Sequence, residues 1–212
     1  RFALRYREVF EAQVRAILRA AAGRKNIRLM FPLISSIDEF MTAKEVVTQC
    51  MESLAKEEIP HAFDLQIGMM IELPSVLATL DEFAVAADFF AIGTNDFVQY
   101  MTGTDRGNKL VADFYLPYHP AVSRGIKAIA DAGSARGIEV SVCGEMAHDP
   151  AHIPFLIGAG IRTLSVDPQF LPLVQQSLMS LRLDDAQAYA ARMLAATRIS
   201  EAQKVLETRP GS

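Results

Sequence analysis

Glu72 and Asp96 are placed where side chains do chemistry, each just beyond an apolar run, 65–71 and 88–92, that reads as a strand. In a parallel α/β fold such positions open on one mouth. Two acceptor carboxylates there suit a hard divalent cation, and Mg2+ fits best because it takes one or two carboxylates and fills its shell with water and substrate phosphate oxygens. A structural alternative stays open, in which Glu72 pairs with an arginine and Asp96 caps the following helix. Cys143 ends a third such run beside Gly144, so its thiol is expected to face the cavity at a tight turn. With an ordinary pKa of about 8.5 a thiol there can give or take a proton near neutrality, while the plainer alternative is a small buried core residue. Arg106, within Thr104-Asp105-Arg106-Gly107-Asn108, offers a fork for carboxylate or phosphate, or is simply a solvated surface arginine. His119, His148 and His152 read as turn, cap or helix-surface residues. The His148 and His152 spacing has no third ligand nearby to make a zinc site.

The elements that must position these groups alternate between helical periodicity and short apolar runs. Residues 2–22 put Val9, Phe10, Val14, Ile17, Leu18 and Ala21 on one stripe, with Gly23 as the stop. Residues 27–34 read as a strand. Ser35 and Ser36 before Asp38 and Glu39 give a doubled capping signal for a helix carrying Ile37, Phe40, Val47, Met51 and Leu54. Strand 65–71 follows, then a short helix opened by Pro74 and running through Phe83, then strand 88–92 closed by Gly93. A polar stretch, 95–108, separates this from a helix introduced by His119-Pro120, with Val122, Ile126, Ile129 and Ala130 on one face and Gly133 and Gly137 loosening its end. Strand 138–143, a brief helix containing 153–157, strand 163–166, and helices over 169–181 and 183–195 complete the pattern. The tail from Arg209 onward is expected to be disordered.

The 212 residues, 50% hydrophobic and 22% charged, are expected to form a single domain over 1–212 with a substantial core. A net charge of −4 without a basic run argues against nucleic acid as a partner. Two distant cysteines suit a reducing cytosol, and no run is apolar and long enough for a membrane span or a leader, so a cytoplasmic location is expected. With Arg1 rather than methionine first, the chain is expected to be a piece of a longer polypeptide or a trimmed form. Five strands alternating with helices make a parallel sheet. Glu72, Thr94-Asn95-Asp96, Cys143-Gly144-Glu145 and Asp167 all follow strand ends, where barrel enzymes carry their chemistry. With no G-x-G-x-x-G or Walker loop to mark a doubly wound sheet, the barrel is favoured.

The strings Ile67-Gly-Met-Met-Ile-Glu-Leu-Pro74, Phe89-Phe-Ala-Ile-Gly-Thr-Asn-Asp-Phe-Val-Gln-Tyr100, Thr104-Asp-Arg-Gly-Asn108 and Val140-Ser-Val-Cys-Gly-Glu-Met-Ala147 closely resemble enzyme I of the bacterial phosphoenolpyruvate (PEP):sugar phosphotransferase system. They are also similar to its nitrogen-related paralogue and, more distantly, to pyruvate phosphate dikinase and PEP synthase. The resemblance runs from Gln13–Ala20 in the first helix to about residue 180. It implies a (β/α)8 barrel of the phosphoenolpyruvate/pyruvate type, of which the last five strands are present. By the same resemblance, Glu72 and Asp96 would be Mg2+ ligands, Asn95 and the Asp96 backbone would touch the PEP phosphate, and Arg106 would hold phosphate or carboxylate. Cys143 would be the acid/base that protonates carbon 3 of enolpyruvate after the phosphoryl group leaves for a histidine on an upstream domain. A histidine phosphocarrier protein, reached through upstream domains, and a homodimer are the implied partners. The strand-end arginines of the three missing strands would be absent, so the chain alone is expected to bind PEP weakly and not turn it over. The rivals are a lyase or aldolase of the pyruvate/PEP barrel superfamily and a non-catalytic dimerisation or sensory module.

Overall fold

In this computed structural model, which describes residues 2–210, the described strands form one parallel sheet in the order β1-β2-β3-β4-β5. They span Arg28–Phe31 (β1), Gln66–Ile71 (β2), Phe89–Gly93 (β3), Glu139–Cys143 (β4) and Thr163–Leu164 (β5). Each strand pairs with the next in sequence. A doubly wound sheet reverses its strand order part-way, whereas an order that never reverses is that of a barrel segment. Parallel strands covered on both faces read as continuous apolar runs rather than alternating ones, and β3 fits this in full, since all its residues are buried.

The helices cover the sheet. α1 (Phe2–Arg5) and α2 (Arg7–Ala20) lead to β1, and α3 (Ile37–Lys56) to β2. A 3-10 turn at Pro74–Thr79 and α4 (Leu80–Ala86) lead to β3. After β3 come α5 (Thr94–Thr102) and α6 (Pro120–Arg136), and after β4 comes α7 (Ile153–Ala159). The chain ends in α8 (Leu171–Met179), α9 (Leu183–Ala195) and α10 (Ile199–Glu207). A run of edge-to-face rings, Phe10–Phe31–Phe40–Phe83, with centroids 5.8, 6.2 and 6.3 Å apart, ties α2, β1, α3 and α4 into one core. The expected cap is present. Ser36 Oγ accepts the Glu39 N–H, and the Glu39 carboxylate reaches back to the Ser35 N–H and hydroxyl at 2.8 and 2.6 Å.

Several expectations need correction. The stretch read as polar, 95–108, begins as helix α5, whose inner side buries Phe97 and Val98 and whose other side is polar, so its apolar stripe is too narrow to stand out. Gly103, at φ 64°, ends it. Val9, placed on the first apolar stripe, is 60% exposed. Gly133 does not loosen a helix end. It lies buried inside α6, where a Cβ would run into the Val140 side chain, and α6 ends instead at Gly137, φ 68°. The fifth strand is only two residues long. α10 was not expected. Glu201 secures its start by accepting from the Thr197 N–H and hydroxyl and the Arg198 N–H, but only Ala202 is buried. His119 is a cap, its Nδ1 accepting the Ala121 N–H, and His148 stacks on Phe170 at 3.9 Å. His152 is in the turn at the N-cap position of α7, as that reading allows, and its side chain is buried. Of the expected disordered tail, Arg209 and Pro210 are partly buried, and residues 211–212 lie outside the described residues. Among the described residues no helix is long and apolar enough to cross a membrane.

Candidate functional site

Strand register places the chemistry. Ile71 pairs with Ile92, and Gly93 with Cys143, so one step beyond Ile71 the chain sets Glu72, Gly93 and Cys143 in a row along the C-terminal edge of the three central strands. Glu72 is 5% exposed. Its Oε2 accepts the Leu33 N–H at 2.8 Å, a backbone partner rather than the arginine of the structural alternative. Leu33 itself stands at φ 53°, a left-handed conformation that branched side chains rarely adopt, and that unusual turn after β1 aims its N–H at the carboxylate. Gly93 provides the space on the other side, since a Cβ there would come within 2.8 Å of Glu72 Cγ and 2.9 Å of Oε1. Burial raises the Glu72 carboxyl pKa above the ordinary carboxylate range. The Leu33 N–H works against the rise, and the negative charge of Asp96 adds to it.

Asp96 occupies the first turn of α5, where a carboxylate is favoured by the helix dipole. It makes no cap. Its Oδ1 faces Arg106 Nη2 at 3.7 Å, and Arg106 is tied back to α5 by its own N–H, which donates to Gln99 Oε1. The side chain of Asp96 is 35% exposed and that of Arg106 is 42% exposed, so both remain open to a ligand. Asn95 Oδ1 accepts the Glu145 N–H at 2.9 Å, which leaves its amide nitrogen as a donor. Cys143 is half-buried, with Sγ 3.6 Å from the Ile92 carbonyl. Burial first, and then the Glu72 carboxylate, push its thiol pKa up, so the protonated thiol prevails at neutral pH. Through Glu72, whose pKa feels Asp96 and whose charge acts on Cys143, the three groups share one electrostatic neighbourhood, with Asn95 and Arg106 beside them.

Three roles escaped sequence reasoning, which placed Thr94 at a strand end but gave it no task. Thr94, fully buried, donates its hydroxyl to the Cys143 carbonyl at 2.7 Å. Tyr115, from the loop after α5, donates to the Asn95 carbonyl at 3.3 Å. Burial, the Glu145 charge and Asp96 push the Tyr115 phenol pKa up to about 12 against the pull of Arg106, which keeps it a neutral donor. Leu33 is the third. Nothing in these residue types marks them, because each acts through a contact distant in sequence. Among the described residues no group of three or more His, Cys, Asp and Glu side chains is gathered to hold a metal. Two hard carboxylates, one of them open to solvent, fit a cation that draws its remaining ligands from water and substrate.

A family model described as the PEP-binding domain of PEP-utilising enzymes matches residues 1–183. The chain belongs to that family. Among the relatives of this PEP-binding domain, the phosphoenolpyruvate-protein phosphotransferase of Bacillus subtilis (strain 168) is 36% identical over 201 residues, covering 95% of this chain and 35% of the relative. The protein of that name from Mycoplasma capricolum is 38% identical over 208 residues, covering 98% and 36%. The chain therefore spans about a third of the length of these relatives. In fold the PEP-binding domain is similar to a crystal structure of a citrate lyase from Burkholderia xenovorans LB400, with a TM-score of 0.59 and 18% identity over 93% of this chain and 67% of that one.

Proposed function

We propose that this chain is the PEP-handling part of a phosphoenolpyruvate-protein phosphotransferase. The observation that carries the reading is the row formed by Glu72, Gly93 and Cys143 along three adjacent strand ends, with Asp96 and Arg106 on the helix and loop above it. Glu72 and Asp96 would hold Mg2+, whose chemistry is to neutralise charge on phosphate and carboxylate oxygens as the P–O bond breaks. Arg106 spreads the remaining negative charge, and the Asn95 amide nitrogen and the Asp96 backbone N–H donate to the phosphate. The bond between phosphorus and the enol oxygen breaks, the phosphoryl group passes to a histidine of the same protein outside this chain, and the electron pair stays on the enolate. Cys143, held as the neutral thiol by burial, gives its proton to carbon 3 and yields pyruvate. Protonation makes the transfer hard to reverse, because the enolate that would have to be rephosphorylated is gone.

A histidine phosphocarrier protein as the next acceptor, a homodimer, a cytoplasmic setting and a role in sugar uptake belong to the same proposal and rest on the family likeness. The chain alone is expected to bind PEP weakly. Cys143→Ala in the intact protein is the test. PEP-dependent histidine phosphorylation with pyruvate release should fall by roughly 10²–10⁴-fold while PEP still binds. Unchanged turnover would remove Cys143 from the chemistry and favour a non-catalytic module. Cleavage of a carbon–carbon bond without histidine phosphorylation would favour a lyase.

A further inference from the structure

Thr94 has no exposed surface, yet it makes one of the short side-chain hydrogen bonds at the strand ends, from Oγ1 to the Cys143 carbonyl at 2.7 Å. It is the first residue of α5 and follows Gly93 directly, so the bond crosses from the end of β3 to the end of β4. The next residue repeats the crossing. Asn95 Oδ1 accepts the Glu145 N–H at 2.9 Å. Between the two bonds lies Gly144, at φ 90°, a conformation open to glycine and strained for any other residue. A Cβ at Gly144 would stand 2.5 Å from Thr94 Oγ1 and 2.8 Å from Asn95 Oδ1. The turn after the cysteine is therefore pressed against α5 and pinned on both sides, by its preceding carbonyl and by its following N–H.

We propose, building on the phosphotransferase reading above, that Thr94 is a positioning residue that fixes the Cys143 backbone so that the thiol meets carbon 3 of the enolate. The physical need is plain. A half-buried thiol on a strand end has one freely rotating side-chain bond, and its reach is set by where its own backbone stands. Proton transfer falls off steeply when donor and acceptor are misplaced by even an ångström. Parallel pairing alone leaves that backbone adjustable, because β4 ends at Cys143 and the glycine that follows is conformationally permissive. The threonine hydroxyl removes the freedom on the carbonyl side. Its β-branched side chain, stiff at χ1, suits it to hold one geometry. Substrate affinity is set elsewhere, by Asn95, Asp96 and Arg106, so loss of the hydroxyl should weaken the proton transfer and leave binding alone.

The test uses the intact protein with Mg2+ and follows exchange of pyruvate methyl hydrogens with deuterated solvent by NMR, a half-reaction that needs the thiol and no phosphoryl acceptor. In Thr94→Val, close in shape but without the hydroxyl, the exchange kcat should fall at least about tenfold with KM for pyruvate within about twofold of wild type. Thr94→Ser, which keeps the donor, should recover most of the rate, a rescue that a purely space-filling role would not give. Should the valine variant fail to fold, Thr94→Ala set against Thr94→Ser carries the same contrast. Wild-type exchange with no loss in the valine or alanine variant, or a serine variant as slow as they are, overturns the role of Thr94 alone. No exchange by wild type, with pyruvate bound, overturns the phosphotransferase reading and this inference with it.

Discussion

The central strands and the β5–α8 flank end in opposite conditions. At the first, every residue of β3 is buried, the Leu33 N–H after β1 holds Glu72 after β2, and Thr94 and Asn95 of α5 are bonded to Cys143 and Glu145 at the end of β4. At the second, β5 is two residues long, and α8 carries Leu171, Leu173, Leu178 and Met179 at 55%, 40%, 39% and 80% exposure, with only Val174 buried. Apolar content sets what an element is able to bury, while its neighbours decide what it does bury. Glu72 and Thr94 at the mouth are more firmly enclosed than the leucines of the flank. That enclosure raises the pKa values of Glu72 and Cys143, whose environments are desolvated without being apolar.

The comparison can be broken at four points, taken here from the largest expected effect. Phe90→Ala, in the fully buried middle of β3, should cost roughly 3–5 kcal/mol in urea unfolding. A loss below about 1 kcal/mol would mean the central strands are not the rigid half. Gly144→Ala forces a side chain into left-handed backbone against Thr94 and Asn95, and it should cost on the order of 1–3 kcal/mol by the same measurement. A neutral result would show that the turn after β4 moves freely.

Legibility followed the same division. Strands β1 to β4 could be read because each is a short segment rich in apolar or β-branched residues bounded by turn signals, β3 without a polar break and β4 with Val140 and Val142 between polar residues. Strand-end position alone left Glu72, Asp96 and Cys143 each with a structural alternative, and the long strings around them, through the family resemblance, singled them out. α5 was lost because its polar, partly buried residues, Asn95, Asp96, Gln99 and Thr102, look like a loop when the partner of its narrow apolar side is unknown. The Thr94 bond joins residues 49 apart, and no local pattern encodes that. Leu33 is the hardest case, because its contribution is a backbone N–H set by a positive φ that its residue type disfavours.

A smaller effect comes from the edge of the flank. His152, at the start of α7, is buried with Asp149 Oδ2 3.7 Å from its Nε2. Burial lowers its pKa, Asp149 works against the shift, and Arg209 adds to it. The unfolded imidazole, with a pKa of about 6.5, takes up a proton before the folded one does. The stability contributed by the neutral ring is therefore complete above that value and is lost as pH falls through it toward the folded pKa. Between about pH 7 and 5 the melting temperature of wild type should fall more than that of His152→Gln, and parallel curves would show that His152 titrates normally. Smallest of all, Met179→Ser on the open flank should change stability by no more than about 0.5 kcal/mol. A loss above about 1 kcal/mol would mean that this surface is covered after all.

The central claim is that Glu72 and Asp96 hold one metal ion beside the Cys143 thiol. Calorimetric titration of PEP into the intact protein, with and without Mg2+, tests it in wild type, Glu72→Gln and Asp96→Asn. The account predicts that Mg2+ tightens PEP binding in wild type and that each substitution abolishes at least about tenfold of that gain. Tightening of wild-type size in either variant would contradict it.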